Sequence, residues 1–115
     1  INMQKWSEKI SIRQPLLNGD SAFTVPTETM PKPFGPHCSS QEERAKLTLA
    51  YMKQSLARPD FVGWHMCGII DTTKTMPGKE KQQHEGLMTT HGDYYPPMEA
   101  SVQQIGAKMY EYALK

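Results

Sequence analysis

An almost continuously apolar run at residues 61–70 (FVGWHMCGII) lies between Pro59 and Asp71, and it limits the possible folds more than any other segment. A strand with one wet face alternates apolar and polar residues, whereas an unbroken apolar run is typical of a strand that is buried on both faces. Such strands occur in parallel sheets covered by helices. The run therefore predicts a parallel sheet, whose neighbouring strands need long crossover connections, usually helices.

The segment before this run carries the signals of such a helix. Ser40 is placed to be its N-cap and Glu43 to reach back to Ser40, which is the pattern of a capping box. Pro59 predicts an end near Arg58, because the residue before a proline disfavours helical backbone. One apolar stripe then runs along the predicted helix at helical spacing: Ala45, Leu49, Met52 and Leu56.

Further elements extend this pattern to two consecutive β-loop-α units. Residues 16–19 form a short apolar stretch that predicts a buried strand, and a proline-rich loop at residues 24–38 follows it. Residues 1–10 have the spacing of a helix end, and residues 72–97 are predicted to be irregular. A closing amphipathic helix is indicated by a last stripe of apolar residues: Met98, Val102, Ile105, Met109 and Ala113.

The composition limits what a chain of 115 residues can do alone, since 37% hydrophobic residues and a mean hydropathy of -0.63 favour only a modest core. A net charge of +1 gives no basic field to attract nucleic acid. No apolar run approaches the roughly 18 residues of a membrane span. Cys38 and Cys67 allow one disulfide, but we expect both to be free, because Cys67 lies within the apolar run and buried free cysteines are common.

Neither a metal nor a cofactor is predicted. His84, Glu85, His91 and Asp93 share one polar segment, but their spacing matches no standard set of metal ligands. The neighbouring Tyr94–Tyr95 pair is a candidate either for stacking on sugar rings or for anchoring the final helix.

Four segments in this order resemble motifs of one enzyme family: PLLNGDSAF at residues 15–23, Gln41 with Arg44, PDFVGWH at 59–65 with Asp71 six residues after His65, and GDYYPPM at 92–98. Together they are similar to the β-agarase type of glycoside hydrolase, from about Pro15 to Tyr112. The resemblance implies an α/β fold, the C-terminal two β-α units of a (β/α)₈ barrel, which takes about 250 residues when whole. Residues 1–115 are then the C-terminal part of a barrel domain, completed by other protein chains or by a missing N-terminal segment.

The same resemblance implies site residues. Asp20 occupies the position of the family's catalytic nucleophile, which is a glutamate there, and His65, Trp64 and Asp71 are the substrate-binding candidates. A retaining glycosidase needs a second carboxyl group about 5–5.5 Å from the nucleophile; in this family it comes from a middle strand that the chain lacks. Each residue also has a structural interpretation: a turn for Asp20, core packing for His65 and Trp64, and a loop cap for Asp71.

Two departures from the family pattern keep two functions open. Asp20 is one methylene shorter than glutamate, and residues 77–86 replace a Gly-Asp-Gly-Glu-Asn-like loop. The first hypothesis is part of a glycoside-hydrolase-like protein that acts on or binds an agar-type β-linked polysaccharide, by a retaining mechanism if it is active, or as a pseudoenzyme with a degenerate site. The alternative is a non-catalytic structural or sugar-binding protein that keeps the barrel scaffold. Either implies a carbohydrate ligand and an extracellular or secreted protein.

Overall fold

A computed structural model of the chain describes residues 15–19, 21–72, 84 and 86–113. These form a small α/β unit with the order β1 (Leu16–Asn18), α1 (Gln41–Leu56), β2 (Phe61–Trp64) and α2 (Pro96–Ala113). β1 and β2 are parallel neighbours, with α1 between them in the chain. This confirms the predicted parallel pair and its helical connection. The predicted helix end at residues 1–10 lies outside the described residues.

The start of α1 confirms the predicted N-cap. Ser40 has an extended backbone, and its hydroxyl accepts a hydrogen bond from the amide of Glu43 at 3.1 Å. The expected return bond from Glu43 to Ser40 is wrong by one residue. The Glu43 carboxylate instead accepts from both the amide and the hydroxyl of Ser39, each at 2.6 Å, because that residue offers two donors to one oxygen. These hydrogen bonds hold the pKa of Glu43 below its ordinary value.

The loop between β1 and α1 has a small core of its own. Thr24 donates its amide to the carbonyl of Pro36 at 2.9 Å and accepts from the amide of Cys38 at 2.6 Å. Met30 and Thr24 are both buried within the loop. Gly35 has a φ of 104°, a left-handed conformation that only glycine adopts without strain. The proline-rich loop is therefore built as a specific structure.

The second strand is shorter than the predicted run of residues 61–70. Its last rung is the bond from the amide of His65 to the carbonyl of Asn18, at 2.7 Å. β1 ends there and offers no further partner, so the strand pairing stops. Farther on, Ile69 accepts from the amides of two residues at 2.8 and 3.0 Å, and Ile70 bridges to Met88. Cys67 was expected inside the strand and buried, but it lies in this irregular stretch and is exposed. Cys38 and Cys67 are not joined by a disulfide.

The predicted apolar stripes are each rotated or shortened. Leu49 and Leu56 are only half-buried, and the face of α1 that is buried contains three polar residues among five: Arg44, Ala45, Thr48, Met52 and Ser55. α2 buries Met98, Ser101 and Ile105, whereas Met109 and Ala113 are exposed. The helices pack together, and the Ser101 hydroxyl donates to the carbonyl of Ala45 at 3.3 Å. Of the three polar residues on this face, Ser55 donates its hydroxyl to the carbonyl of Tyr51 at 2.8 Å, and Arg44 makes the contacts described below.

Both strands, and the stretch after β2, present apolar side chains to solvent. Leu17 of β1 is 64% exposed, Val62 of β2 is 65% exposed, and Ile69 beyond β2 is 60% exposed. The expectation of strands buried on both faces is therefore not met by the described part of this chain alone. No helix in that part is long and apolar enough to cross a membrane.

Candidate functional site

The carboxyl ends of the two strands bring His65 next to the residue that precedes Asp20. Because β1 and β2 are parallel, both strands end at the same edge of the sheet. Nδ1 of His65 lies 3.3 Å from the carbonyl oxygen of Gly19, and the His65 side chain is exposed. Asp20 follows Gly19 directly but lies outside the described residues. We name the edge formed by Gly19 and His65 the strand-end edge.

Trp64 points the other way, as the alternation of side chains along a strand requires. Its indole ring packs edge-on against Tyr51 of α1, with 5.0 Å between ring centroids. The Tyr51 hydroxyl accepts from the side-chain amide of Asn18 at 2.9 Å, and Ser21 donates to the other end of that amide at 2.8 Å. Among the described residues, Nε1 of Trp64 is the buried side-chain nitrogen or oxygen without a hydrogen-bond partner.

Asp71 lies in a buried polar cluster. One oxygen of its carboxylate accepts from Nδ1 of His84 at 2.5 Å and from the Tyr95 hydroxyl at 2.7 Å. The other oxygen accepts from the amide of Gly86 at 2.8 Å. Neither the Asp71 nor the His84 side chain is exposed. Burial of the phenol, together with its bond to the Asp71 carboxylate, raises the pKa of Tyr95 far above its ordinary value.

Arg44 of α1 joins this cluster through its contacts with His84. Its Nε donates to the carbonyl of Phe23 at 2.8 Å, and Nη2 donates to the carbonyls of His84 and Gly86 at 3.3 and 2.9 Å. Nη1 donates to the side-chain oxygen of Gln41 at 3.2 Å and lies 3.3 Å from Nε2 of His84. Arg44 is 1% exposed. We call Gln41, Arg44, Asp71, His84 and Tyr95 the Arg44 cluster.

The structure thus separates the candidates into two groups. His65 and Gly19 meet at the strand-end edge, whereas Asp71 belongs to the Arg44 cluster and Trp64 to the packing against α1. His84, considered as a metal ligand from the sequence, is instead a partner of Asp71. Within the described ranges, no three His, Cys, Asp or Glu side chains come close enough together to hold a metal ion; Glu85 lies outside them.

The sequence carried one usable signal for the Arg44 cluster. Gln41 and Arg44 belong to the pattern of the resembling family, and Arg44 adjoins Ala45 in the predicted apolar stripe. A buried arginine needs acceptors, because an unpaired charge is costly to bury. The identity of those acceptors was not predictable, since three of them are backbone carbonyls.

Comparison with solved structures places this architecture in a larger one. PfGH50B matches with a TM-score of 0.80 and 20% identity over 100% of this chain and 17% of its own. An exo-β-agarase matches with a TM-score of 0.81 and 23% identity, over 97% of this chain and 16% of its own. The agarase AgWH50C matches with a TM-score of 0.83 and 22% identity, over 97% of this chain and 18% of its own.

These similarities confirm the resemblance to the β-agarase type at the level of the fold. The chain spans less than a fifth of each of these proteins. No family model matches the sequence, and no curated protein matches it.

Proposed function

We propose that this chain is part of a glycoside-hydrolase-like protein with a (β/α)₈ barrel that acts on or binds an agar-type β-linked polysaccharide. The observation that carries the proposal is the contact between His65 and Gly19 at the strand-end edge, at 3.3 Å. In barrels of this kind the active site lies at the carboxyl ends of the strands. The similarity of the fold to agarases supports the choice of substrate class.

In this proposal Asp20 is the nucleophile. It directly follows Gly19 in the sequence, and Gly19 lies beside His65 at the strand-end edge. A retaining mechanism requires that it face a second carboxyl group about 5–5.5 Å away, supplied by another part of the barrel. The Asp20 carboxylate would attack the anomeric carbon while the second group protonates the leaving oxygen; water would then release the sugar.

The three substrate-binding candidates take different parts. His65 is exposed beside Gly19 and is best placed to contact a sugar hydroxyl. Trp64 packs against α1 behind the same edge, and within the described part of the chain its buried indole N–H has no acceptor. The Asp71 carboxylate already accepts three hydrogen bonds, so we propose that it supports the site by holding the segment around Gly86 in place.

The test is an assay of the full-length protein on agarose and on agar-derived oligosaccharides, with the configuration of the product followed by NMR. We expect cleavage with retention of configuration, and Asp20→Asn should abolish turnover while leaving sugar binding intact, because the amide keeps the shape and loses the charge. Asp20→Glu, which restores the family residue, is the matched comparison. Absence of both cleavage and binding in the wild-type protein would exclude the proposal.

A non-catalytic, sugar-binding protein is the second candidate, and the observation that favours it is the aspartate at position 20. A misplacement of about 1 Å can cost on the order of a hundredfold in rate, and aspartate is one methylene shorter than the family's glutamate. The same experiment separates the two candidates. Binding without cleavage in the wild type, together with cleavage by Asp20→Glu, would identify a pseudoenzyme.

We also propose that further barrel strands, from the rest of the protein or from another chain, cover the exposed apolar residues of the sheet. Burial of a Val or Leu side chain is worth about 1.5–3 kcal/mol, so Val62→Asp should destabilise the full-length protein substantially. Tyr110→Asp is the control, since Tyr110 is 74% exposed on α2. Equal stability of the two variants would show that Val62 stays in contact with water.

A further inference from the structure

We propose that Arg44 is a positioning residue that holds both loops of the strand-end edge in register, and that His84 serves it as a neutral hydrogen-bond acceptor. The inference rests on the proposed function for its catalytic consequence. Its structural half, the protonation of the His84 ring, stands on the hydrogen bonds of the Arg44 cluster alone.

The donors of Arg44 determine what His84 must offer. An arginine has five N–H groups in a fixed planar fork and no acceptor. Nε and both Nη2 hydrogens reach backbone carbonyls, and Nη1 reaches Gln41 and His84, so each donor has a partner. Nε2 of His84 must therefore present a lone pair to Arg44, because a hydrogen there would face another hydrogen.

The Gln41 side chain agrees with this assignment. Its oxygen accepts from Nη1 of Arg44, so its nitrogen is the atom that lies 2.9 Å from Nε2 of His84. That nitrogen is also a donor. Two donors thus converge on Nε2, and the proton of the ring lies on Nδ1, where the Asp71 carboxylate accepts it at 2.5 Å.

The charges of the Arg44 cluster also favour a neutral His84. Arg44 brings one positive charge into the cluster, and Asp71 brings one negative charge. A neutral His84 leaves the two balanced, and the guanidinium also lies 5.5 Å from the centre of the Tyr95 ring, a favourable distance for a cation over an aromatic face. A protonated His84 would add a second cation where solvent does not reach, and the described residues of the cluster offer one carboxylate, Asp71.

The cluster is connected to the site through Arg44. The Phe23 carbonyl belongs to the loop after β1, three residues beyond Asp20, and the carbonyls of His84 and Gly86 belong to the segment that follows β2. One guanidinium therefore joins the two loops that leave the strand-end edge. Lysine has a single ammonium group and no fork, so it cannot hold three carbonyls and a ring nitrogen in these directions.

The first experiment measures the protonation of His84 without any substitution in the protein observed. The full-length protein is labelled with ¹⁵N-histidine, and the ring signals are recorded at neutral pH, with His84→Gln used only to assign them. We expect His84 to show a protonated Nδ1 and an unprotonated Nε2. A proton on Nε2, in either the neutral or the charged ring, would overturn the inference.

The second experiment measures positioning. Arg44→Lys should shift the backbone amide signals of Gly19 and His65, and it should lower kcat on agar-derived oligosaccharides by about a hundredfold with KM changed by less than about threefold. The matched control is Arg58→Lys, because Arg58 lies beyond the other end of α1 and pairs with Asp60. The control should leave both amide signals and kcat unchanged.

The outcomes distinguish this inference from the proposed function. If the wild-type protein neither cleaves nor binds agar-derived sugars, the proposed function fails, while the His84 signals and the amide shifts still test the inference. If Arg44→Lys folds but leaves the Gly19 and His65 signals in place, or lowers kcat no more than Arg58→Lys does, Arg44 is not a positioning residue. If Arg44→Lys does not fold, the His84 tautomer in the wild type decides.

Discussion

The Asp71 carboxylate and Nδ1 of His84 are hydrogen-bonded at 2.5 Å in a place where neither side chain touches solvent. The two residues are 13 positions apart in the sequence. Asp71 also accepts from the amide of Gly86 and from the hydroxyl of Tyr95. These three bonds hold residues 84, 86 and 95 against the stretch that follows β2.

Asp71→Asn should destabilise the protein by about 1–3 kcal/mol, because it weakens a buried acceptor of three hydrogen bonds and removes the negative charge of the Arg44 cluster. The asparagine nitrogen would also meet donors where the carboxylate now accepts. Chemical denaturation, followed by circular dichroism, measures this loss. Asp60→Asn is the control, since the Asp60–Arg58 pair is partly exposed and should contribute little. Similar losses in the two variants would contradict the importance of the Arg44 cluster.

Gly86→Ala should also be destabilising, by about 1–3 kcal/mol. A Cβ atom at this position would lie 2.5 Å from the carbonyl oxygen of Ile69 and 2.9 Å from the amide of Asp71, so the backbone must move. Gly106→Ala is a matched control in α2, where an added Cβ meets nothing within 4 Å. That control should stabilise the protein by about 0.5–1 kcal/mol, because alanine favours a helix over glycine. An unchanged free energy of unfolding in Gly86→Ala would show that the backbone at Ile69 and Asp71 does not restrict this position.

The cap of α1 should make stability depend on pH in the acidic range. The pKa of Glu43 is lowered in the folded chain by its bonds to Ser39. A lowered folded pKa stabilises the protein above the ordinary value of 4.5, and this contribution is lost as pH falls through the folded pKa. Ser39→Ala should therefore lower stability at neutral pH, and the difference from wild type should shrink on acidification. A difference that is constant from pH 7 to pH 2, measured by thermal unfolding, would contradict this account.

The two cysteines should react at very different rates. Cys38 is 7% exposed, and burial raises the pKa of its thiol, so little of the reactive thiolate forms. Cys67 is exposed in the stretch after β2. Brief treatment of the native protein with iodoacetamide at pH 8, read by mass spectrometry, should modify Cys67 first. Modification of both at equal rates, or of neither because they are joined, would contradict the structure.

The sequence predicted the elements that local rules determine. Ser40 is the N-cap because its hydroxyl can accept from the amide three residues further on, and the parallel pairing followed from the apolar run. Strand length was not predictable in the same way. β2 ends at Trp64 because β1 ends at Asn18, and the composition of residues 61–70 contains no information about the length of its partner.

The site was predictable only in part for a related reason. The resemblance placed His65 at a strand end, and the structure puts it beside Gly19. Asp71 was named as a candidate, but its partner His84 follows a segment whose sequence has no periodicity to indicate which side chain returns to the core. Arg44 bonds to backbone carbonyls, which every residue has, so its acceptors leave no trace in the sequence.

Arg44 donates to the main-chain carbonyls of Phe23, His84 and Gly86. These three contacts do not depend on which side chains the positions carry. What Arg44 requires of the segment after β2 is two carbonyls and one imidazole in fixed positions. Loops of different composition can therefore bind the same guanidinium, provided that they place these acceptors in the same positions. For the sugar site that we propose at this edge, loop grafting is then a route to new specificities that leaves α1 unchanged.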